Sequence, residues 1–84
     1  MLVGLKHHNS NVSQNLAAVG KAIREARLAA NLDQDTLAAL AGVSRRPIYY
    51  VESGKGAVRL DSLYRILDAL GLKITLESKG KLDV

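Results

Sequence analysis

The sequence predicts a mostly α domain: four helices, closed by one short C-terminal β-strand. Three observations predict it. Apolar residues recur every three or four positions through most of the chain. Glycines and short polar residues stand where helices must stop and restart. After Gly71 the apolar period changes to two, with Leu72, Ile74 and Leu76 alternating with Lys73, Thr75 and Glu77.

The first helix is expected from about Ser13 or Asn15 to Ala30, with the inner stripe Leu16, Val19, Ile23, Ala26 and Ala30. Asn31-Leu32-Asp33 breaks it, and Asp33 is placed to cap the second helix, Gln34 to Ala41. Gly42 ends that helix, because a left-handed backbone costs glycine nothing. Ser44 restarts the chain with a hydroxyl able to cap a third helix, Arg45 to Ser53. Pro47 falls in the first turn of that helix, where its missing N–H has no intrahelical acceptor. The fourth helix runs from about Leu60 to Leu70 with Leu60, Leu63, Ile66, Leu67 and Leu70 on one side, and Gly71 stops it.

Within this frame Leu37, Ala41, Ile48 and Val51 face a common interior, and Ala38 is small where another helix passes. Residues 34–53 therefore read as a helix-turn-helix, an element that presents its second helix to the DNA major groove.

Composition is consistent with that reading. Eighty-four residues make one small domain, for which a partner subunit is a natural source of extra stability. With no cysteine, disulfide and thiolate-metal chemistry are excluded. Met1 to Leu5 is too short an apolar opening for a signal peptide and no stretch reaches membrane-spanning length, so a cytoplasmic protein without a membrane partner is expected. The formal charge of +4 and a pI near 9.7 favour an anionic partner. Between Ser44 and Arg59 stand four basic residues and one acid, Glu52.

A helical projection of the third helix turns Ile48 and Val51 inward and Arg46, Tyr49, Tyr50 and Ser53 outward, with Arg45 on the flank. Arginine can fork onto guanine O6 and N7, and tyrosine can meet a thymine methyl or a phosphate. Either tyrosine could instead pack at the core boundary or in a dimer contact, Tyr49 more readily than Tyr50. Gln34, in the first turn of the second helix, can grip a phosphate together with the free N–H groups there. Lys55 and Arg59 flank the loop after the third helix and either touch the DNA backbone or are solvated. Glu52 falls near the inward edge, where a lone carboxylate is costly, and Arg27 interrupts the inner side of the first helix. The two are expected to pair structurally.

No enzyme is legible. His7 and His8 adjoin in a loose N-terminal arm and cannot converge on a metal unaided. Asp33, Asp35, Asp61 and Asp68 suit caps and helix surfaces, and neither a nucleophile–base–orienter set nor a phosphate-cradling glycine loop is present. No metal or other cofactor is expected.

Gln34-Asp-Thr-Leu-Ala, Ala41-Gly-Val-Ser and Ile48-x-x-Val-Glu52-x-Gly54-Lys together resemble the phage-repressor class (lambda repressor/Cro, or XRE) over about residues 15–71. The resemblance implies a lambda-repressor-like four-helix DNA-binding domain. It also implies a phosphate contact at Gln34, DNA contacts at Ser44, Arg45, Arg46 and Tyr50, and a buried ion pair of Arg27 with Glu52. That class often carries a fifth helix. This chain instead ends Leu70-Gly-Leu-Lys-Ile-Thr-Leu-Glu-Ser-Lys, which is similar to HipB-like antitoxins. In those proteins a closing strand builds an intermolecular sheet in a dimer; they repress their own operon and bind a HipA-type kinase toxin.

The expected organisation is thus an arm (1–12), a DNA-binding domain (13–71), a dimerisation strand (72–78) and a tail (79–84). A single strand leaves its ladder unpaired. Antiparallel pairing with a second copy about Thr75 sets Lys73 opposite Glu77 and Ile74 opposite Leu76, contributions of ~0.2–1 kcal/mol per pair. A frayed tail or a last piece of helix is the alternative. The function expected is a homodimeric repressor on a near-palindromic operator, in the role of an autoregulating antitoxin. The alternatives are a stand-alone repressor of the same class and a protein-interaction adaptor.

Overall fold

The computed structural model describes residues 12–76 and residue 78. Four helices follow one another: α1 (Val12–Ala29), α2 (Gln34–Ala41), α3 (Arg45–Ser53) and α4 (Leu60–Ala69). The second and third have the expected bounds, and the outer two differ from expectation by a few residues at most. The N-terminal arm, apart from Val12, and the tail 79–84 lie outside the described residues.

Helix α1 packs chiefly on α3, while α2 lies between α3 and α4. The core is Ile23, Leu37, Ala38, Ala41, Ile48, Val51, Ile66 and Leu67, with Val19, Leu63 and Leu70 among the partly buried residues around it. Every helix contributes, so the α2–α3 pair is clamped between α1 and α4.

All four helices end on a residue in the left-handed region, and after three of them the chain then turns inward. After α1, α2 and α4 a residue in the left-handed region (Asn31, Gly42, Gly71) turns the chain. The next residue then returns its N–H to a carbonyl five positions back: Leu32 to Arg27, Val43 to Ala38 and Leu72 to Leu67. Leu32, Val43 and Leu72 are all apolar and all pack against the core. Each turn therefore satisfies helix-end carbonyls and aims the chain inward at once. At the start of α2, the Asp33 side chain accepts from the Thr36 N–H at 2.7 Å, as expected of its cap.

Gly20 marks the closest approach. A Cβ there would lie 2.0 Å from the Val51 carbonyl oxygen, so the α3 backbone rides directly against α1. Glycine costs a helix interior ~0.5–1 kcal/mol relative to alanine, and here that cost admits the close approach of α3.

Several expectations are corrected. Leu16 and Ala30 are exposed because they lie at the two ends of α1, beyond the stretch that packs, and the buried side there holds Gly20 and Arg27 as well as Ile23. Leu60 is 67 % exposed, because it opens α4 at the edge of the core and not over it. Ser44 starts α3 with the extended backbone of a cap but makes no side-chain capping bond. No strand forms among the described residues. Leu72 and Ile74 fold onto their own chain's core while Leu76 stays 86 % exposed, and Glu77 lies outside the described residues. The physical reason is that, among the described residues, no segment stands beside residues 73–76 to supply a ladder.

Candidate nucleic-acid interface

Helix α3 is held by one polar cluster. Arg27 donates through Nε and Nη2 to the two carboxylate oxygens of Glu52, both at 2.8 Å, and through Nη1 to the Leu32 carbonyl at 2.8 Å. The pair is a side-on fork, with side chains only 8 % and 4 % exposed. A single guanidinium thus joins α1, the turn before α2, and α3. Burial alone would push the Glu52 carboxyl up. The hydrogen bonds from Arg27 and Gln34, and the positive charges of Arg27 and Arg24, outweigh burial and hold it below its ordinary value. The bonds that Arg27 donates to Glu52 in turn raise Arg27 against its own desolvation.

Gln34 belongs to this cluster, which its sequence position did not reveal. Its Nε2 donates to Glu52 Oε1 at 3.1 Å. That bond fixes the amide orientation and leaves the carbonyl oxygen and the second N–H for another partner. The residue expected to grip phosphate is therefore braced from behind by the ion pair that holds α3.

On α3 itself, Ile48 and Val51 are buried while Ser44, Arg45, Arg46, Tyr49 and Ser53 are exposed. Arg45 approaches Asp35 of α2 at 3.9 Å, a solvated contact of little stability. The tyrosines have exchanged the places expected of them: Tyr49 is the more exposed, and Tyr50 is half-buried. A Cβ on Gly56 would stand 3.5–3.7 Å from Tyr50 Cγ, Cδ1 and Cδ2, so the ring lies over that glycine. The Tyr50 carbonyl also accepts the N–H groups of Gly54 and Lys55, at 2.9 and 3.2 Å. Tyr50 thereby carries the loop bearing the exposed Lys55, and Arg59 beyond it is exposed too.

Beside this face is an open recess lined by Arg24, Gln34, Tyr49, Glu52 and Ser53. Arg24 was not anticipated. The sequence signal available was its place one turn before Arg27, on the same helix. Among the described residues no group of three or more His, Cys, Asp or Glu side chains converges on a point, and no helix is long and apolar enough to cross a membrane. His7 and His8 lie outside them.

Comparison with known proteins agrees with this geometry. A helix-turn-helix family model matches residues 23–76. An HTH-type transcriptional regulator of Sinorhizobium fredii, itself uncharacterized, is 35 % identical over 65 residues, 77 % of this chain and 86 % of the relative. A transcriptional regulator from the ATPase CF(0) region of Rhodospirillum rubrum is 41 % identical over 58 residues, 69 % of this chain, which spans about half of that relative at 54 %. Among solved structures, the restriction-modification controller protein C.AhdI of Aeromonas hydrophila superposes with a TM-score of 0.64 at 35 % identity, covering 71 % of this chain and 91 % of the controller. With more than half its length matched by the family model and a 35 % identical relative largely covered, the chain belongs to the helix-turn-helix family of the phage-repressor (XRE) kind.

Proposed function

We propose that the chain is a homodimeric, sequence-specific DNA-binding repressor acting on a near-palindromic operator. The observation that carries the reading is the outward face of α3. Arg46, Tyr49 and Ser53 stand exposed on the side of the helix opposite buried Ile48 and Val51, with Ser44 and Arg45 exposed at its N-terminal end. Arg46 and the part of the half-buried Tyr50 ring left exposed beside Gly56 read bases, and Gln34, Ser44, Arg45, Tyr49, Ser53 and Lys55 hold the backbone. The names of the relatives, two transcriptional regulators and a restriction-modification controller, support a regulatory role.

Two copies give so short a helix its specificity, because paired recognition helices reach successive major grooves ~34 Å apart. Pairing through residues 72–77 is supported by the alternation of that segment and by the exposure of Leu76. Among the described residues, the backbone from Lys73 to Leu76 makes no hydrogen bond within the chain. The role of an autoregulating antitoxin to a HipA-type kinase has one support, the likeness of residues 70–79 described above. Co-purification with such a kinase tests it, and failure to do so leaves a stand-alone repressor.

Competition gel shifts test the DNA reading. Arg46→Ala and Tyr50→Ala should lose discrimination between operator and random duplex while remaining folded, at ~1–3 kcal/mol per lost base contact. Unchanged specificity in both would remove α3 from the role of reader and favour a protein-interaction adaptor.

A further inference from the structure

The loop that follows α3 rests on a side chain of α3. Its start is tied by hydrogen bonds, since the Tyr50 carbonyl accepts from the Gly54 N–H at 2.9 Å, the Lys55 N–H at 3.2 Å and the Ser53 hydroxyl at 3.4 Å. Beyond Lys55 those ties stop. From Gly56 to Val58 the loop makes no backbone hydrogen bond among the described residues. Two packing contacts hold it there instead: Val58 against the core, and Gly56 against the Tyr50 ring.

A Cβ on Gly56 would stand 3.5 Å from Tyr50 Cγ and 3.7 Å from each Cδ atom. Equal distances to the two Cδ atoms, so close to the distance to Cγ, put that point over the ring face and not at its edge. This is ordinary van der Waals spacing, so an alanine fits there and a branched side chain must displace the ring. The same ring meets Tyr49, with centroids 5.8 Å apart and planes inclined at 54°. Half-buried Tyr50 therefore links the outward side of α3 to the loop that carries exposed Lys55.

We propose that Tyr50 is the positioning residue for Lys55: its ring seats Gly56 and so sets where the Lys55 ammonium meets the DNA backbone. This rests on the DNA-binding reading above. Lysine is a compact charge on a flexible stem, so its reach to a phosphate depends on where the stem is rooted. The root is fixed from both sides, by the Lys55 N–H bond before it and by the seat of Gly56 after it. A base contact at Tyr50 and a phosphate contact at Lys55 are then made as a unit, and one ring serves both specificity and affinity.

Fluorescence anisotropy with the operator duplex across a salt series tests this in wild type, Tyr50→Phe, Tyr50→Leu, Gly56→Ala and Gly56→Val, each with and without Lys55→Gln. A lost phosphate contact lowers the slope of log K against log salt by about 0.9. Lys55→Gln should cause that loss in wild type, in Tyr50→Phe, which keeps the ring, and in Gly56→Ala, which keeps the contact. In Tyr50→Leu the slope should already be reduced, and adding Lys55→Gln should change it no further. Gly56→Val should behave in the same way while leaving α3 untouched, and it carries the test if Tyr50→Leu does not fold. A full slope loss on adding Lys55→Gln to a folded Tyr50→Leu or Gly56→Val protein would overturn the proposal, because Lys55 would then reach the backbone unaided. Disappearance of the Lys55 effect in Tyr50→Phe would also overturn it, by assigning the effect to the hydroxyl. An unchanged slope for Lys55→Gln in the wild-type background would remove the contact and the proposal together. Absence of DNA binding by wild type would instead defeat the repressor reading.

Discussion

Replacing Glu52 with leucine should destabilise the domain far more than the loss of one surface charge. The Arg27 guanidinium, in a side chain 8 % exposed, would keep only the Leu32 carbonyl of its three hydrogen bonds. An ionised group left buried without its partner costs about 3–5 kcal/mol. A small domain has about 5–15 kcal/mol in all, so much of the stability would go. At about 4–8 °C per kcal/mol the melting midpoint should drop by roughly 12 °C or more. Arg27→Met should cost a similar amount, since Glu52 would then keep only Gln34. In the double variant Arg27→Met/Glu52→Leu no charge is stranded. The Leu32 carbonyl is the main group left unpaired, at about 1–3 kcal/mol, because half-buried Gln34 can turn to water. The double variant should thus cost several kcal/mol less than the two single effects added. Urea denaturation of all four proteins, in one osmolyte background that keeps each corner folded, measures that coupling. Simple additivity would refute the claim that this pair holds α3.

Four further outcomes follow from the same contacts. Gly20→Ala should cost at least the ~1–3 kcal/mol of an overpacked core, because its Cβ would meet the Val51 carbonyl at 2.0 Å and α3 must move; a thermal midpoint at wild-type level would contradict the close approach. The acid limb of the stability curve should depend on Glu52. Its carboxyl is held below an ordinary value of 4.5, so its contribution is complete above that pH and is lost as pH falls through the lower folded value; Glu52→Gln should flatten the limb in urea titrations at stepped pH. Asp33→Ala should lower the thermal midpoint whereas Ser44→Ala should not, since only Asp33 caps its helix. Ending the chain at Ile74 retains the apolar anchors Leu72 and Ile74 but removes the centre of the proposed strand pair; sedimentation should then show a monomer, and a persisting dimer would move the interface to a helix surface such as exposed Leu60 and Tyr64 on α4.

What could be read from the sequence was whatever local pattern decides. The bounds of α2 and α3 follow from Asp33, Gly42 and the apolar spacing, all within a turn or two of the residues concerned. The Arg27–Glu52 pair was legible because each residue is a charge on an otherwise apolar side of its own helix. Features set by distant chain were not legible. Gly20 looks like an unhelpful helix glycine until α3 is known to cross it, and Tyr50 looks free until the loop returns Gly56 beneath its ring. Gln34 and Arg24 acquire their shared recess only once α1 and α3 are side by side. The C-terminal alternation is ambiguous for a different reason. A period of two describes a paired strand and an extended segment clinging to its own core equally well, and residues 72–76 form the second within one chain.

The central claim is that the outward face of α3 reads DNA sequence. Selection of bound duplexes from a random pool by the wild-type chain, repeated with Arg46→Ala/Tyr50→Ala, tests it most directly. The account predicts that wild type enriches a near-palindromic site with half-sites about one helical turn, ~34 Å, apart. The double variant, folded to the same degree, should lose the enriched bases. A wild-type pool without enrichment, or the same consensus from both proteins, would contradict it.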